Sequence, residues 1–549
     1  MMHSQTEKDT EQALAQLERP LTGTPLLHKE DLFEQYADHV ATEPDQGHAV
    51  VRLQSFSLPR KAKASPRADR QTRAPSRKGL KKVAKVVREY GCKAPIPWTG
   101  TEPAFKIARN NGFFGFDEIR PSELVNALFT GGTGSGKTHS GVVPLLSAQL
   151  RYELQCDGGM KRSSILVIDP KHELLSTVQS VLAAQGEASR LIVLGSAKQA
   201  RPVKFFTQGE FLTMREKLAK MNVVLGTNRL AEGNHGYWQA AAMQIIGQFM
   251  NLEDAYRRPM SESLMERLVA NHGLTVRSKS FWGCLEAVFR YSRCGRQGFK
   301  SVNRDLKVLL NMAGLASLPD SGVMDAFEEE TELMQWQYRM QSADPIIGIL
   351  ADPEVVKVVD MDPFDKSDSD SLDLRQVMER GHVVLFQPSR KPNSVLAACA
   401  IKTKWQEGVS CRDDMERPVG LVVDEFQKFI TIDDVSGDAT FLDTARGYRC
   451  NAVYATQSIE ALEHALKSTP HAQTAVAAIV ANTPSKWFFA TKDKQTETTM
   501  MSLIPASPAI GTPHILTARP AAVLKPGEAY WSLADGRWGR GRADLQNLL

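Results

Sequence analysis

From Asn126 onward, the chain is punctuated by short apolar runs that are continuous rather than alternating. Ala127-Leu128-Phe129, Ser164–Ile168, Leu191–Leu194, His382–Phe386 and Val419–Val423 each end in a turn or in polar residues. A strand buried on both faces reads this way, so the runs predict a parallel sheet covered by helices. The intervening segments supply helical spacing: Val142-Val143, Leu145-Leu146 and Leu150 after the first run, and about Ser394 to Gly408 after the fourth. Phe441–Ser458 reads as helix, turn and strand ending in Thr456-Gln457-Ser458. From about 208 to 345 the pattern changes to long helical segments without clear strands, among them Gly236–Asn251 and Phe281–Arg293. This predicts an all-α insertion in the sheet domain. Its Trp238, Trp282 and Phe289 have the shape to stack on bases, but aromatics at helical spacing are more often core, and they are assigned to the core.

The first 58 residues are polar and acidic-to-mixed, with one amphipathic stretch around His28–Val40. Leu58–Arg77 is rich in Pro, Ser, Ala and basic residues, a composition that buries too little surface to offset ordering entropy, and is expected to be a flexible linker. Arg77–Tyr90 places Leu80, Val83, Ala84, Val87 and Tyr90 on one helical face, with Lys81, Lys82, Lys85 and Arg88 around the other. Charge sharpens this picture. Arg60 to Arg88 holds 12 basic residues against Asp69 alone, or +11, which leaves −7 for the rest of a chain whose net charge is +4. A basic segment on a mildly acidic body implies a polyanionic partner, either nucleic acid or an anionic membrane face. No run approaches 18 uncharged apolar residues and the N-terminus has no signal-peptide core, so a cytoplasmic protein is expected, possible as a peripheral one at the inner face of the cell membrane. The seven cysteines are scattered without ligand spacing and are expected to be reduced bystanders.

The chemistry centres on Gly131-Gly132-Thr133-Gly134-Ser135-Gly136-Lys137-Thr138, which follows the first strand and opens the first helix. The spacing is that of a phosphate-binding loop. Its glycines turn successive N–H groups around a β-phosphate, Lys137 reaches the β/γ oxygens and the Thr138 hydroxyl holds Mg2+, so ATP and Mg2+ are the expected ligands. Asp169 and Lys171 follow the second strand at the sheet edge where ligands bind. Val419–Val423 runs into Asp424-Glu425, as a phosphoryl-transfer site requires: Asp424 for the metal shell, Glu425 to polarise the attacking water. Gln457, at the end of the neighbouring strand, is placed to sense a γ-phosphate. Arg446 or Arg449 is placed to reach a neighbouring subunit's nucleotide, or else is a surface arginine at a helix end.

Together these pieces resemble the type IV coupling proteins, the TraG/TraD-like ATPases of conjugation and type IV secretion. The resemblance spans roughly residues 120–549. It is carried by Gly132–Lys137 followed by Gly141-Val142-Val143-Pro144-Leu145-Leu146, by Asp169-Pro170-Lys171-His172-Glu173-Leu174 with His172 where Gly is usual, by Tyr237-Trp238, by Asp424-Glu425 and by Thr456-Gln457-Ser458. It implies a RecA-like sheet domain at 120–207 and 346–549 around an all-α domain at 208–345. A mostly flexible region at 1–76, and a basic helix with its lead-in at 77–119, precede them. It also implies a homo-hexameric ring with ATP at subunit boundaries and the arginine eleven residues before the glutamine, Arg446, acting in trans. Implied partners are DNA, a relaxase or relaxosome, and the ATPases or inner-membrane proteins of a type IV secretion channel. Typical members carry N-terminal membrane-spanning helices that this chain lacks, so a form recruited by a separate membrane protein, or held through residues 60–90, is expected. Two other readings stay open: a coupling ATPase for protein effectors only, and a soluble FtsK/HerA-like DNA translocase in repair or defence.

Overall fold

The computed structural model describes residues 105–109, 116–156, 159–195, 201–206, 214–226, 280–292, 330–363, 371–432, 437–467, 472–503 and 521–543, with isolated positions between 242 and 301. The acidic N-terminal stretch, the basic helix at 77–90 and Tyr237-Trp238 lie outside the described residues.

In chain order the strands are β1 (Phe105–Arg109), β2 (Phe116–Ile119), β3 (Ala127–Thr130), β4 (Glu153–Cys156), β5 (Gly159–Arg162), β6 (Ser164–Ile168), β7 (Leu191–Leu194), β8 (Val203–Lys204), β9 (Val359–Asp360), β10 (Val383–Phe386), β11 (Val419–Val423), β12 (Cys450–Thr456), β13 (Ser485–Phe488), β14 (Glu528–Ser532) and β15 (Trp538–Ala543). Among the described residues eleven of them form one sheet, in the order β2-β1-β15-β14-β13-β3-β12-β11-β6-β10-β7. From β13 to β7 every pairing is parallel. From β13 outward to β2 every pairing is antiparallel. The strand carrying the phosphate loop and the strand ending in Asp-Glu are thus separated by β12, the strand order of a RecA-like domain. Register aligns their ends, with Thr456 beside Thr130 and Val423 beside Ile168, so the C-termini of β3, β12, β11 and β6 share one edge.

Both faces of the parallel part are covered, which is why its strands read as continuous apolar runs. Along β6, Ile165 and Val167 face one core with Leu145, Leu146, Leu150, Val178 and Leu182. Leu166 and Ile168 face the other, with Trp405, Tyr454 and residues of the helical stretch such as Met221, Trp282 and Ile347. The described residues between 208 and 345 are helical, in Met214–Gly226, Phe281–Ser292 and Glu330–Leu350, and the last helix runs unbroken across residue 345. The described residues of these helices share one apolar cluster with the sheet. Trp282 is a core residue, 1% exposed, with its indole N–H donated to the Met361 carbonyl at 2.8 Å.

The antiparallel extension escaped the sequence reading because its strands are short and rich in polar or glycine residues: Glu528–Ser532 and Trp538–Ala543, WGRGRA, with β1 and β2 at the far edge. It matters to the site. The Gly527 N–H, just before β14, donates to the Ser135 carbonyl at 2.7 Å, tying the extension to the loop after β3.

Candidate functional site at the C-terminal edge of the sheet

The loop between β3 and its helix is built for close approach. Gly134 and Gly136 have φ of +77° and +84°, the alternation that turns successive backbone N–H groups to one side. A β-carbon on Gly136 would lie 2.4 Å from the Gly527 nitrogen, so this glycine is required by the backbone packed on it as well as by its own conformation. The loop is pinned at its start, where Gly131 N–H is shared between the Thr456 and Gln457 carbonyls at 3.2 Å each, and Gly132 N–H donates to the Ala490 carbonyl at 2.9 Å. Beyond it the chain makes a π-helical turn, Thr138–Val142, before the α-helix Val143–Leu150 with Pro144 in its first turn. Gly141 explains part of the Gly-Val-Val-Pro run, since a β-carbon there would meet the rings of Phe489 at 2.8 Å and Phe129 at 2.9 Å. Those aromatics form the floor beneath the loop, Phe129 stacking on Trp487 with centroids 4.7 Å apart.

Lys137 lies folded into the loop. Its ammonium donates to the Thr456 carbonyl at 2.8 Å and the Gly131 carbonyl at 3.4 Å, and burial lowers its pKa against the pull of Asp424 and Glu425. The Thr138 hydroxyl donates to Asp424 Oδ2 at 3.4 Å. Adjacent oxygens in an octahedral Mg2+ shell of radius about 2.1 Å are about 3.0 Å apart, so this hydroxyl and carboxylate would need to close by only about 0.4 Å to hold the ion together. Ser135 Oγ is 4% exposed and has no partner, an orphaned donor on a loop of this shape that a phosphate oxygen would satisfy.

Glu425 sits in the left-handed region, with φ +52°, where a non-glycine residue is unusual and strain is stored. Its carboxylate is held from two sides. Oε1 accepts from Lys171 at 2.5 Å; Oε2 accepts from Gln427 Nε2 at 2.6 Å and Gln457 Nε2 at 3.0 Å. Burial pushes this carboxyl up, but the Lys171 and Lys137 charges and the Gln457 amide outweigh it and hold the pKa at about 2. Asp424, fully buried beside it, moves the other way: burial raises its pKa more than Lys171 and Lys137 lower it.

The structure therefore brings Lys137, Thr138, Asp424, Glu425, Lys171 and Gln457 to one edge, and it places two other candidates elsewhere. The Asp169 carboxylate is completely buried under the turn that follows β6. It accepts from Glu173 N–H at 3.1 Å, Leu174 N–H at 2.9 Å and Gln387 Nε2 at 3.3 Å, so it anchors the turn that presents Lys171 and does not face the loop. His172 follows Lys171 with φ +62°, which accounts for glycine being usual there, and its Nε2 meets the Pro388 carbonyl at 3.0 Å. Arg446 lies in the 3-10 turn that leads into β12, at the opposite end of the strand from Gln457, roughly 20 Å away at 3.3 Å per strand residue. It does not reach the site of its own chain; with Arg449 it lines a cavity of about 240 Å³ beneath the sheet.

Two members of the cluster have no sequence signal. Gln427 donates to Glu425 and accepts from the Thr456 hydroxyl at 3.0 Å, and Gly527 closes on Gly136 from a segment nearly 400 residues away in sequence (527 − 136 = 391). Neither lies in a patterned motif, and only folding brings them in.

No curated protein matches this chain. Among solved structures, the unbound conjugative coupling protein TrwBdeltaN70 has a TM-score of 0.49 at 14% identity, covering 84% of this chain and 91% of that one. TrwB in complex with ADP and Mg2+ has a TM-score of 0.49 at 15% identity, covering 84% and 92%. VirB4 of Thermoanaerobacter pseudethanolicus has a TM-score of 0.40 at 12% identity, covering 82% and 98%. Among the described residues no helix is long and apolar enough to cross a membrane. Residues 418–504, which contain the Asp-Glu strand, Arg446 and the strand ending in Gln457, match the family model described as the TraM recognition site of TraD and TraG. That match lies on the segment that brings Asp424, Glu425 and Gln457 to the loop after β3, so it is this part of the chain that is similar to the TraM recognition site of TraD and TraG.

Proposed function

We propose that this chain is a Mg2+-dependent ATPase and the motor of a coupling protein, which receives a relaxase-bound DNA strand and delivers it to a type IV secretion channel. The observation that carries the catalytic reading is the gathering of the loop lysine, the Thr138–Asp424 pair and the doubly held Glu425 at one sheet edge. In this reading Lys137 leaves the Thr456 and Gly131 carbonyls for the β- and γ-oxygens, and the loop N–H groups hold the β-phosphate. Thr138 and Asp424 would hold Mg2+, which would supply charge neutralisation on the phosphate oxygens. Glu425 orients the attacking water and takes its proton. Gln457, already bonded to Glu425, reports the γ-phosphate to β12.

The same geometry supports a ring. Arg446 lies at the far end of β12 from Gln457, so a phosphate that its guanidinium meets would belong to a neighbouring copy. DNA as the cargo is supported by the +11 segment from Arg60 to Arg88. A relaxosome partner is supported by the family model on residues 418–504.

Two substitutions test the catalytic reading. Lys137→Ala removes a charge from the phosphate site and weakens nucleotide binding. Glu425→Gln keeps binding and loses turnover, by roughly 100-fold or more if Glu425 is the base. Normal hydrolysis by Glu425→Gln rejects the assignment.

A further inference from the structure

The ammonium of Lys171 occupies a corner that the loop, the metal pair and the water-activating carboxylate all face. It lies 2.5 Å from Glu425 Oε1 and 3.5 Å from Asp424 Oδ2, the same Asp424 oxygen that the Thr138 hydroxyl meets at 3.4 Å. The lysine therefore supplies positive charge to the two carboxylates that the ATPase reading assigns to metal and water. Its backbone is fixed from below by the buried Asp169 carboxylate and by the tied His172. Its side chain is 36% exposed, with space on the solvent side, whereas both carboxylates are almost wholly buried.

The geometry points to Lys171 as a relay cation. With no nucleotide it neutralises Glu425 and Asp424; when Mg2+ and a triphosphate enter, it is displaced from Asp424, moves to the γ-phosphate oxygens and releases Glu425 to hold water. The driving force is charge. The Lys171 ammonium would be repelled from Asp424 by a divalent cation at the Thr138–Asp424 corner, and drawn to a γ-phosphate more strongly than to a single carboxylate. A diphosphate brings no γ-oxygens, so it leaves Lys171 on Glu425. The half-buried ion pair then has a purpose beyond stability: it keeps the carboxylate occupied until a triphosphate binds, and Gln427 and Gln457 hold its second oxygen in place while the lysine leaves. Lys171 is a positioning residue for Glu425 and a reader of the third phosphate.

This inference rests on the ATPase reading, and the experiment separates the two. Lys171→Met keeps the length of the side chain and removes its charge; Lys171→Arg keeps the charge. Affinities are measured for Mg2+-ADP and for a non-hydrolysable Mg2+-ATP analogue, with circular dichroism to confirm folding. Lys171→Met is expected to weaken analogue binding by about 10-fold or more, the loss of one charge-assisted contact, and ADP binding by less than about 2-fold. Lys171→Arg is expected to restore most of the preference for the triphosphate. Equal weakening of both ligands would mean a purely structural ion pair. Unchanged affinities with faster turnover at saturating ATP would mean a lysine that only restrains Glu425. Either result overturns the relay while leaving the ATPase reading intact. Wild-type protein that binds neither ligand overturns the ATPase reading itself.

Discussion

Asp169→Ala is the most informative single substitution, because a sequence motif suggests a ligand contact and the structure gives the carboxylate a different task. The side chain is fully buried and accepts from Glu173 N–H at 3.1 Å, Leu174 N–H at 2.9 Å and Gln387 Nε2 at 3.3 Å. Truncation strands these donors away from water. Two good bonds to a charged acceptor at roughly 1.5 kcal/mol each, with a weaker third, put the loss on the order of 3–4 kcal/mol. Asp169→Asn keeps one acceptor oxygen and is expected to cost about half of that. The loss should be local, so hydrogen exchange at Glu173 and Leu174 is the direct assay, with the urea midpoint of the sheet domain as the global one. Protection at those amides should fall about 100-fold or more while ADP affinity changes by less than about 3-fold. Turnover should fall as well, because the turn that positions Lys171 is loosened. If exchange and midpoint are unchanged while ADP affinity collapses, Asp169 serves the ligand and the anchoring argument is wrong.

Gly136→Ala is expected to reduce nucleotide affinity by more than about 10-fold, because φ of +84° and a 2.4 Å approach to the Gly527 nitrogen leave no room for a methyl group; equilibrium binding to ADP checks this. Lys402→Met strands Asp438 in a fully buried cluster with Thr431, Gln406 and Tyr454, and should cost about 3–5 kcal/mol in denaturant unfolding. Lys486 is buried with its ammonium on the Thr483 carbonyl at 2.6 Å, and burial lowers its pKa from 10.5 to about 8. At Lys486 the unfolded chain then binds more protons than the folded one between pH 8 and pH 10.5, so the stability of the wild type relative to Lys486→Met should rise with pH across that window; a constant difference between the two would refute it. Mixing Arg446→Ala with Glu425→Gln protein should restore part of the lost ATPase activity in rings that exchange subunits, whereas Arg449→Ala should be milder; absence of rescue at every ratio counts against a trans role for Arg446.

Local chemistry made much of the fold legible. Ser164–Ile168 and Val419–Val423 are apolar throughout because both faces of the parallel sheet are covered, and that pattern needs no knowledge of the partner strands. The β14–β15 hairpin was not legible: WGRGRA alternates glycine with arginine and tryptophan, and it becomes a strand only because Glu528–Ser532 and β1 offer it two edges. The helices described between 208 and 345 were readable as helix, but not as contributors to the sheet's own core, since periodicity names an apolar face without naming what it packs on.

By itself the sequence determined the phosphate loop and the strand ends that face it, because a P-loop and an apolar strand ending in Asp-Glu are each written in consecutive residues. Their meeting is a matter of topology. Placing β12 between β3 and β11 puts Gln457 and the Thr456 carbonyl between the loop and Glu425, and no local pattern encodes that neighbourhood. The tertiary structure alone decided that Asp169 is an anchor, that Lys171 pairs with Glu425, that Gln427 shares the same carboxylate and that Gly527 closes on Gly136. Each of these depends on which groups become neighbours after water is excluded. A carboxylate and a lysine in a motif look alike on paper, and only burial and the direction of nearby donors decide which of the two supports the backbone and which faces the ligand.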